Sequence, residues 1–374
     1  MNLNIVIFGL AITSSWGNGH AVTYRALTKA LQARGHRVTF LERDVPWYRE
    51  HRDLKASTFC QVELYRELKD VSLRFQKLVA NADLVILGSY VPDGIILADW
   101  ITSCARGVTA FYDIDTPVTL AGLEAGDAGY ISSALIPRFD LYLSFMGGPA
   151  LTLIEDLYGS PRARTLYCAA DPDVHAKREL PTKWALGYLG TYSSDRQLAL
   201  EQLLLEPASR LTNRQFIVAG SQYPKSLQWP ANVARIEHVS PAEHPDFYGQ
   251  QLYTLNVTRA DMVSAGFSPS VRLFEAAACG VPVITDRWAG LDSIFTSGEE
   301  IVVVDNPQQV IHVLEELPEA RRRSIAAAAR KRLLTSHTPE HRARQLEEYY
   351  QEVISPRRAR AGNGRQKTAE LHTS

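Results

Sequence analysis

The feature that most constrains this chain is an alternation of short apolar runs with amphipathic stretches that occurs twice, with one interruption. The segments NIVIFGL (4–10), RVTFLE (37–42), DLVILG (83–88), GVTAFYD (107–113) and DLYLSF (140–145) are short, apolar and bounded by turn residues. Runs of this kind read as strands buried on both faces, and strands separated by helices build a parallel sheet covered on both sides. Between the first two, HAVTYRALTKALQARG places Val22, Leu27, Ala30 and Leu31 on one face of a helix, and Gly35 follows as a C-cap. The pattern stops in AADPDVHAKRELPTKW, where prolines and charges replace periodicity. It then resumes with WALGYLG (184–190), RQFIVAG (214–220), LYTLNVT (252–258), VPVITD (281–286) and EIVVVD (300–305).

The expected architecture is α/β, with two Rossmann-like doubly wound domains facing a central cleft. Residues 1–170 make the N-terminal domain, 171–183 the linker and 184–336 the C-terminal domain. Residues 337–355 are expected as a helix that crosses back onto the first domain, and the basic, apolar-poor stretch 356–374 as a disordered tail. A chain of 374 residues is long enough for two such cores. Its 40 basic and 41 acidic side chains give no overall field to attract nucleic acid or anionic lipid, so no nucleic-acid partner is expected. The N-terminus reads as a strand, not a secretory leader, and no apolar stretch approaches the roughly 18–20 residues of a bilayer span. The expected location is the cytoplasm, with membrane contact at most peripheral. Cys60, Cys104, Cys168 and Cys279 are far apart and form no C-x-x-C pair, so they suggest neither zinc nor redox chemistry.

In open α/β sheets, ligands gather at the carboxyl ends of the strands, which directs attention to the loops there. In SAGFSPSVRLFEAAACGVPVITDRWAGLD (264–292), Ser268 reads as an N-cap and Pro269 as the first helical residue. A helix start favours an anion, and Arg272 adds a fixed charge one turn in. Glu275 lies on the same face, where a carboxylate can accept two ribose hydroxyls. In SSWGNGH (14–20), Gly17 and Gly19 allow close backbone approach to a ligand, and His20 opens a helix. In DIDTP (113–117), Asp113 or Asp115 is placed to orient the His20 imidazole. Each also has a plain structural reading: a capped amphipathic helix with an Arg–Glu pair, a histidine capping its helix, and aspartates shaping a turn.

The 264–292 segment resembles the donor motif of group-1 glycosyltransferases, the two-domain GT-B class, and more closely its CgeB-like subset. The similarity extends to YLGTYSSDRQ (188–197), HVSPAEHPDFYGQQLYTLNVTRADM (238–262) and FYDIDTPVTL (111–120). The resemblance implies transfer of a sugar from a UDP-, GDP- or dTDP-sugar to a hydroxyl of a glycan, protein or small molecule, with no metal and no other cofactor. It implies that Glu275 binds the nucleotide ribose, that Ser270 and Arg272 lie near the diphosphate, and that Gly190 and Thr191 line the donor cleft. His20 is the expected base, with Asp115 in that role if the histidine is structural. Phe267 stands where many retaining members carry a glutamate, eight positions before Glu275, so the stereochemical outcome does not follow from the sequence. The alternatives are a sugar-nucleotide epimerase or hydrolase of the same fold and a non-catalytic nucleotide-sugar-binding protein. An oxidoreductase using Glu42 or Asp44 as a ribose acid is a third, but Val22 occupies the place of the third fingerprint glycine.

Overall fold

The computed structural model describes residues 1–371 apart from Asn18 and Asp127, with side chains through Ala359. The first sheet contains β1 (Asn4–Gly9), β2 (Arg37–Arg43), β3 (Gln61–Tyr65), β4 (Leu84–Gly88), β5 (Val108–Asp113), β6 (Leu141–Ser144) and β7 (Ala163–Thr165). Their order is β3-β2-β1-β4-β5-β6-β7, and every neighbouring pair is parallel. The second sheet contains β8 (Trp184–Leu189), β9 (Phe216–Ala219), β10 (Val233–Ile236), β11 (Gln251–Asn256), β12 (Val283–Thr285) and β13 (Val302–Val303). It runs β10-β9-β8-β11-β12-β13, again all parallel. In each sheet the strand order reverses direction once, between β1 and β4 and between β8 and β11, and such a switch point opens a crevice at the carboxyl edge.

Every residue of β4, β5, β6, β9 and β12 is buried, as strands covered by helices on both faces require. The strands β3, β7 and β10 are additional to those read from the sequence. Gln61, Glu63, Arg164 and Arg235 interrupt their apolar character, and each of the three ends its sheet. Short polar strands suit an edge, where one side is not paired. On the first helix, Gly19–Ala33, the buried face holds Tyr24, Leu27, Ala30 and Leu31, whereas Val22 is only half-buried and borders the cleft.

The last helix, Pro339–Leu371, lies along the first helix and buries Ala343, Leu346, Tyr350 and Val353. Glu347 accepts hydrogen bonds from Arg34, Nη2 to Oε2 at 2.5 Å, and lies 2.7 Å from His36 Nε2. Tyr349 donates to the Thr165 carbonyl at 2.9 Å. The backbone continues as helix through Leu371, with Pro356 inside it, where the composition suggested a disordered tail. Residues 372–374 lie outside the described residues.

Where the last helix begins, Arg342 is buried, and among the described residues no carboxylate accepts from it. It donates to the Cys168 carbonyl at 3.3 Å, to Gln345 Oε1 at 3.0 Å and to His337 Nδ1 at 2.7 Å. A guanidinium only donates, so His337 Nδ1 accepts and the ring is neutral. Burial, and then the Arg342 charge, push His337 down to about 3. The unfolded chain therefore takes up a proton at this ring near its ordinary value while the folded chain does not. The resulting penalty is absent well above pH 6.5 and grows as pH falls towards 3. Urea unfolding should lose stability between about pH 7 and pH 4, and His337→Gln should flatten that slope by up to about 1.4 kcal/mol per pH unit. A slope unchanged in a folded variant contradicts the assignment.

Candidate functional site

The two switch points meet across a cleft of about 380 Å³. Ser15, Gly17, Gly19, Val22 and Asp115 line it from the first domain, in segments after β1 and β5. Gly190, Thr191, Arg196, Arg259, Ser270, Arg272 and Glu275 line it from the second, in segments after β8 and β11. A larger hollow of about 910 Å³ lies between the linker and the helix Glu319–Ser336, and none of the candidate site residues borders it. The cleft, not the larger hollow, gathers the chemistry.

On the donor side the helix starts at Val271, and its N-cap is Ser270, whose side chain accepts from the Arg272 N–H at 3.4 Å. The expected cap, Ser268, is buried two residues earlier. Gly266 and Phe267 both have positive φ, 67° and 51°, so the chain turns sharply before the helix and delays its start. Arg272 is also more enclosed than a free cleft charge. Its Nε donates to the Leu189 carbonyl at 2.5 Å and its Nη1 to Asn256 Oδ1 at 2.8 Å, with the guanidinium 4.6 Å over the Tyr188 ring. It thus ties the carboxyl ends of β8 and β11 together. A side chain at Gly190 would come within 2.8 Å of Arg272 Nη2 and 2.6 Å of Tyr188 Oη, which explains the glycine.

Glu275 is only 3% exposed, yet it borders the cleft. Tyr248 donates to its Oε2 at 3.1 Å, and His175 and His244 each stand 3.6 Å from one of its oxygens. Burial alone would raise this carboxyl, but His244, His175 and the tyrosine hydrogen bond hold it below its ordinary value. Two cations were not singled out from the sequence. Arg196 donates to the Thr191 carbonyl at 2.7 Å, and Arg259 reaches across the cleft to Asp115. The position of Arg259, just beyond the strand LYTLNVT, is the signal that points to it.

On the opposite wall, Asp115 Oδ2 accepts from Tyr90 at 3.0 Å and from Arg259 Nη1 at 3.1 Å. Burial raises its carboxyl and outweighs Arg259 and the Tyr90 hydrogen bond. Asp113 is different: it is fully buried, accepts from Thr119 at 2.7 Å and from Tyr142, and lies outside the cleft lining. Burial raises it to about 6. The side-chain partners of Asp113 are Thr119, Tyr142 and the Asp115 N–H, and those of Asp115 are Tyr90 and Arg259. The His20 ring packs edge-on to Tyr90 with centroids 5.6 Å apart, its Nδ1 is shielded from solvent, and burial pushes the imidazole down to about 4. Gly17 takes φ 59°, in the left-handed region that suits glycine, and Gly19 is the first residue of the helix. Glu42 accepts from the N–H groups of Ile12 and Thr13 at 2.7 and 2.9 Å and is fully buried, so it shapes the loop after β1 and offers no oxygen to a ribose. Asp44 is held by Arg49 and Arg52.

Comparison with solved structures settles the architecture. Sucrose-phosphate synthase from Thermosynechococcus elongatus superposes with TM-score 0.69 at 14% identity, over 95% of this chain and 100% of that one. HepE from Anabaena, in complex with UDP and glucose, gives TM-score 0.70 at 12% identity over 92% and 98%. The fold is GT-B. An alpha-glucosyltransferase in complex with UDP and a 13-mer DNA shares it as well, with TM-score 0.69 at 13% identity over 94% of this chain and 100% of that one. Residues 196–348 match the model of a glycosyl transferase-like family. No curated protein sequence matches the chain. Among the described residues no helix is long and apolar enough to cross a membrane.

Phe267 joins the two halves of this GT-B cleft. Its carbonyl accepts from the Gly147 N–H at 3.0 Å, and its ring covers Gly148, where an added Cβ would sit 2.6 Å from ring carbons. Gly148 also has φ 61°. Gly148→Ala should therefore destabilise the protein by about 1–3 kcal/mol through overpacking and backbone strain. Thermal or urea unfolding reads this, and pairing the change with Phe267→Ala should recover the overpacking part. Wild-type stability in Gly148→Ala contradicts the clasp.

Proposed function

We propose that the protein is a glycosyltransferase that moves a sugar from a nucleotide-sugar donor to a hydroxyl acceptor. The observation that carries this reading is the pairing of chemistries across the switch points: helix start and arginines on one wall, a carboxylate with a raised pKa on the other. The donor diphosphate is assigned to the Ser270–Arg272 helix start, beside Arg196 and Arg259, and the ribose to Glu275. These groups supply the positive charge that a departing diphosphate needs, so the reaction calls for no metal at that position. The matched family model, and the UDP and glucose held by HepE, support a UDP-sugar as the first donor to test.

Asp115 is the group we assign to the acceptor proton. It borders the cleft, and its raised pKa makes it a stronger base than an ordinary carboxylate. His20 is the weaker choice, because burial leaves its imidazole a poor proton acceptor. In this scheme Arg259 leaves Asp115 for the diphosphate when the donor enters, which frees the carboxylate. The acceptor oxygen then attacks the anomeric carbon as its proton passes to Asp115. The bond from that carbon to the diphosphate breaks, and Arg259 and the helix start meet the growing negative charge.

Turnover of donor with acceptor, set against donor loss without acceptor, separates transfer from hydrolysis or epimerisation. Asp115→Asn should lower turnover by about 10²- to 10⁴-fold, the usual contribution of a general base, while calorimetric donor affinity is retained. His20→Ala should cost far less. Near-normal turnover in Asp115→Asn with a large loss in His20→Ala reverses the two assignments. In the wild type, activity should fall as the pH drops through the Asp115 pKa, because protonation removes the base.

A further inference from the structure

We propose that His175, His244 and Glu275 form a binding site for one divalent ion of the zinc type. They are the one such group of His, Cys, Asp and Glu side chains among the described residues, and all three are buried. His175 Nε2 lies 3.3 Å from His244 Nδ1. Glu275 presents Oε1 to His175 and Oε2 to His244, each at 3.6 Å. Ligands about 2.0–2.2 Å from a tetrahedral zinc stand about 3.3–3.5 Å apart; the two imidazole nitrogens already have that spacing, and one carboxylate oxygen lies within 4.8 Å of both.

The hydrogen bonding leaves one nitrogen of His175 turned towards the cluster. His175 Nδ1 lies 3.3 Å from the Asp171 carbonyl, which can only accept, so Nδ1 carries a proton and Nε2 is the nitrogen that faces the His244 imidazole and the Glu275 carboxylate. A backbone carbonyl holding the outer nitrogen of a histidine is the usual support of a metal ligand, and Tyr248 supports Glu275 in the same way. Two nitrogens and one carboxylate suit zinc or cobalt better than magnesium or calcium. Two of the three residues, His244 and Glu275, border the cleft, so water can fill a fourth position from that side.

The three ligands come from three segments: the linker, the helix His244–Gly249 before β11, and the helix Val271–Cys279. A bound ion would fix these against one another and set the orientation of Glu275. The assignment itself does not depend on the transfer reaction; only its consequence for ribose binding rests on that reading.

The test uses the untagged full chain, stripped with a chelator and titrated with cobalt(II). One equivalent should bind, with the intense visible absorption of tetrahedral cobalt, and zinc should displace it. His175→Ala and His244→Ala should each weaken binding at least about tenfold. The absence of saturable binding overturns the proposal, as does a weak octahedral spectrum or binding unchanged in folded variants; the cluster then holds a shared proton. If a variant does not fold, the wild-type spectrum decides alone. The readout is metal binding, so a chain that binds cobalt but transfers no sugar upholds this site while the function proposed above fails.

Discussion

Parallel strands force every connection to start at a carboxyl edge, and the helices that return the chain begin there with unpaired N–H groups. Two such edges face each other in this molecule, and the arrangement of the cleft follows from that constraint. The local chemistry serves to hold the edges in shape. Arg272 binds the ends of β8 and β11 through Leu189 and Asn256, and Glu42 gathers the loop after β1 through Ile12 and Thr13. The last helix then fastens the end of the second domain to the first through Arg342 and its bond to the Cys168 carbonyl.

Contacts of different kinds cross the cleft between the domains. Asp115 and Arg259 form an ion pair, Phe267 covers Gly148, and the Trp16 ring lies 4.6 Å from that of His238. They differ in what a ligand can do to them. The ring contacts are indifferent to a diphosphate, whereas a partly desolvated arginine can exchange one anion for another with little change in burial. In the reaction proposed above, the ion pair is the contact that would couple occupancy of the donor wall to the state of the opposite carboxylate.

The interior of the fold was legible because strands covered on both faces must be apolar along most of their length, as NIVIFGL, DLVILG and GVTAFYD are. Edge strands such as Gln61–Tyr65 and Val233–Ile236 escaped notice because one unpaired side permits polar residues. At the site, Arg272 and Glu275 stood out by their position behind a helix start and Ser270 by a family resemblance, and the place of all three on the cleft is seen in the fold. Their partners were not readable. Arg272 is enclosed by Leu189 and Asn256, distant in sequence, and the helix start moved because Gly266 and Phe267 take positive φ. The partners of the two aspartates were equally hidden: Asp113 turns its carboxylate back to the N–H of Asp115 and to Thr119, away from the cleft, and Asp115 turns its own to Tyr90 and Arg259.

Every role proposed for the cleft requires a nucleoside diphosphate between the two switch points. Hydrogen–deuterium exchange reads this directly, using whichever of UDP, GDP or dTDP raises the melting temperature most. The predicted result is slower exchange in the turn at Gly190 and Thr191, around Arg259 and at the helix start Ser270–Glu275, with little change around the hollow beside Glu319–Ser336. Protection confined to that hollow, or no protection with any of the three nucleotides, would contradict it.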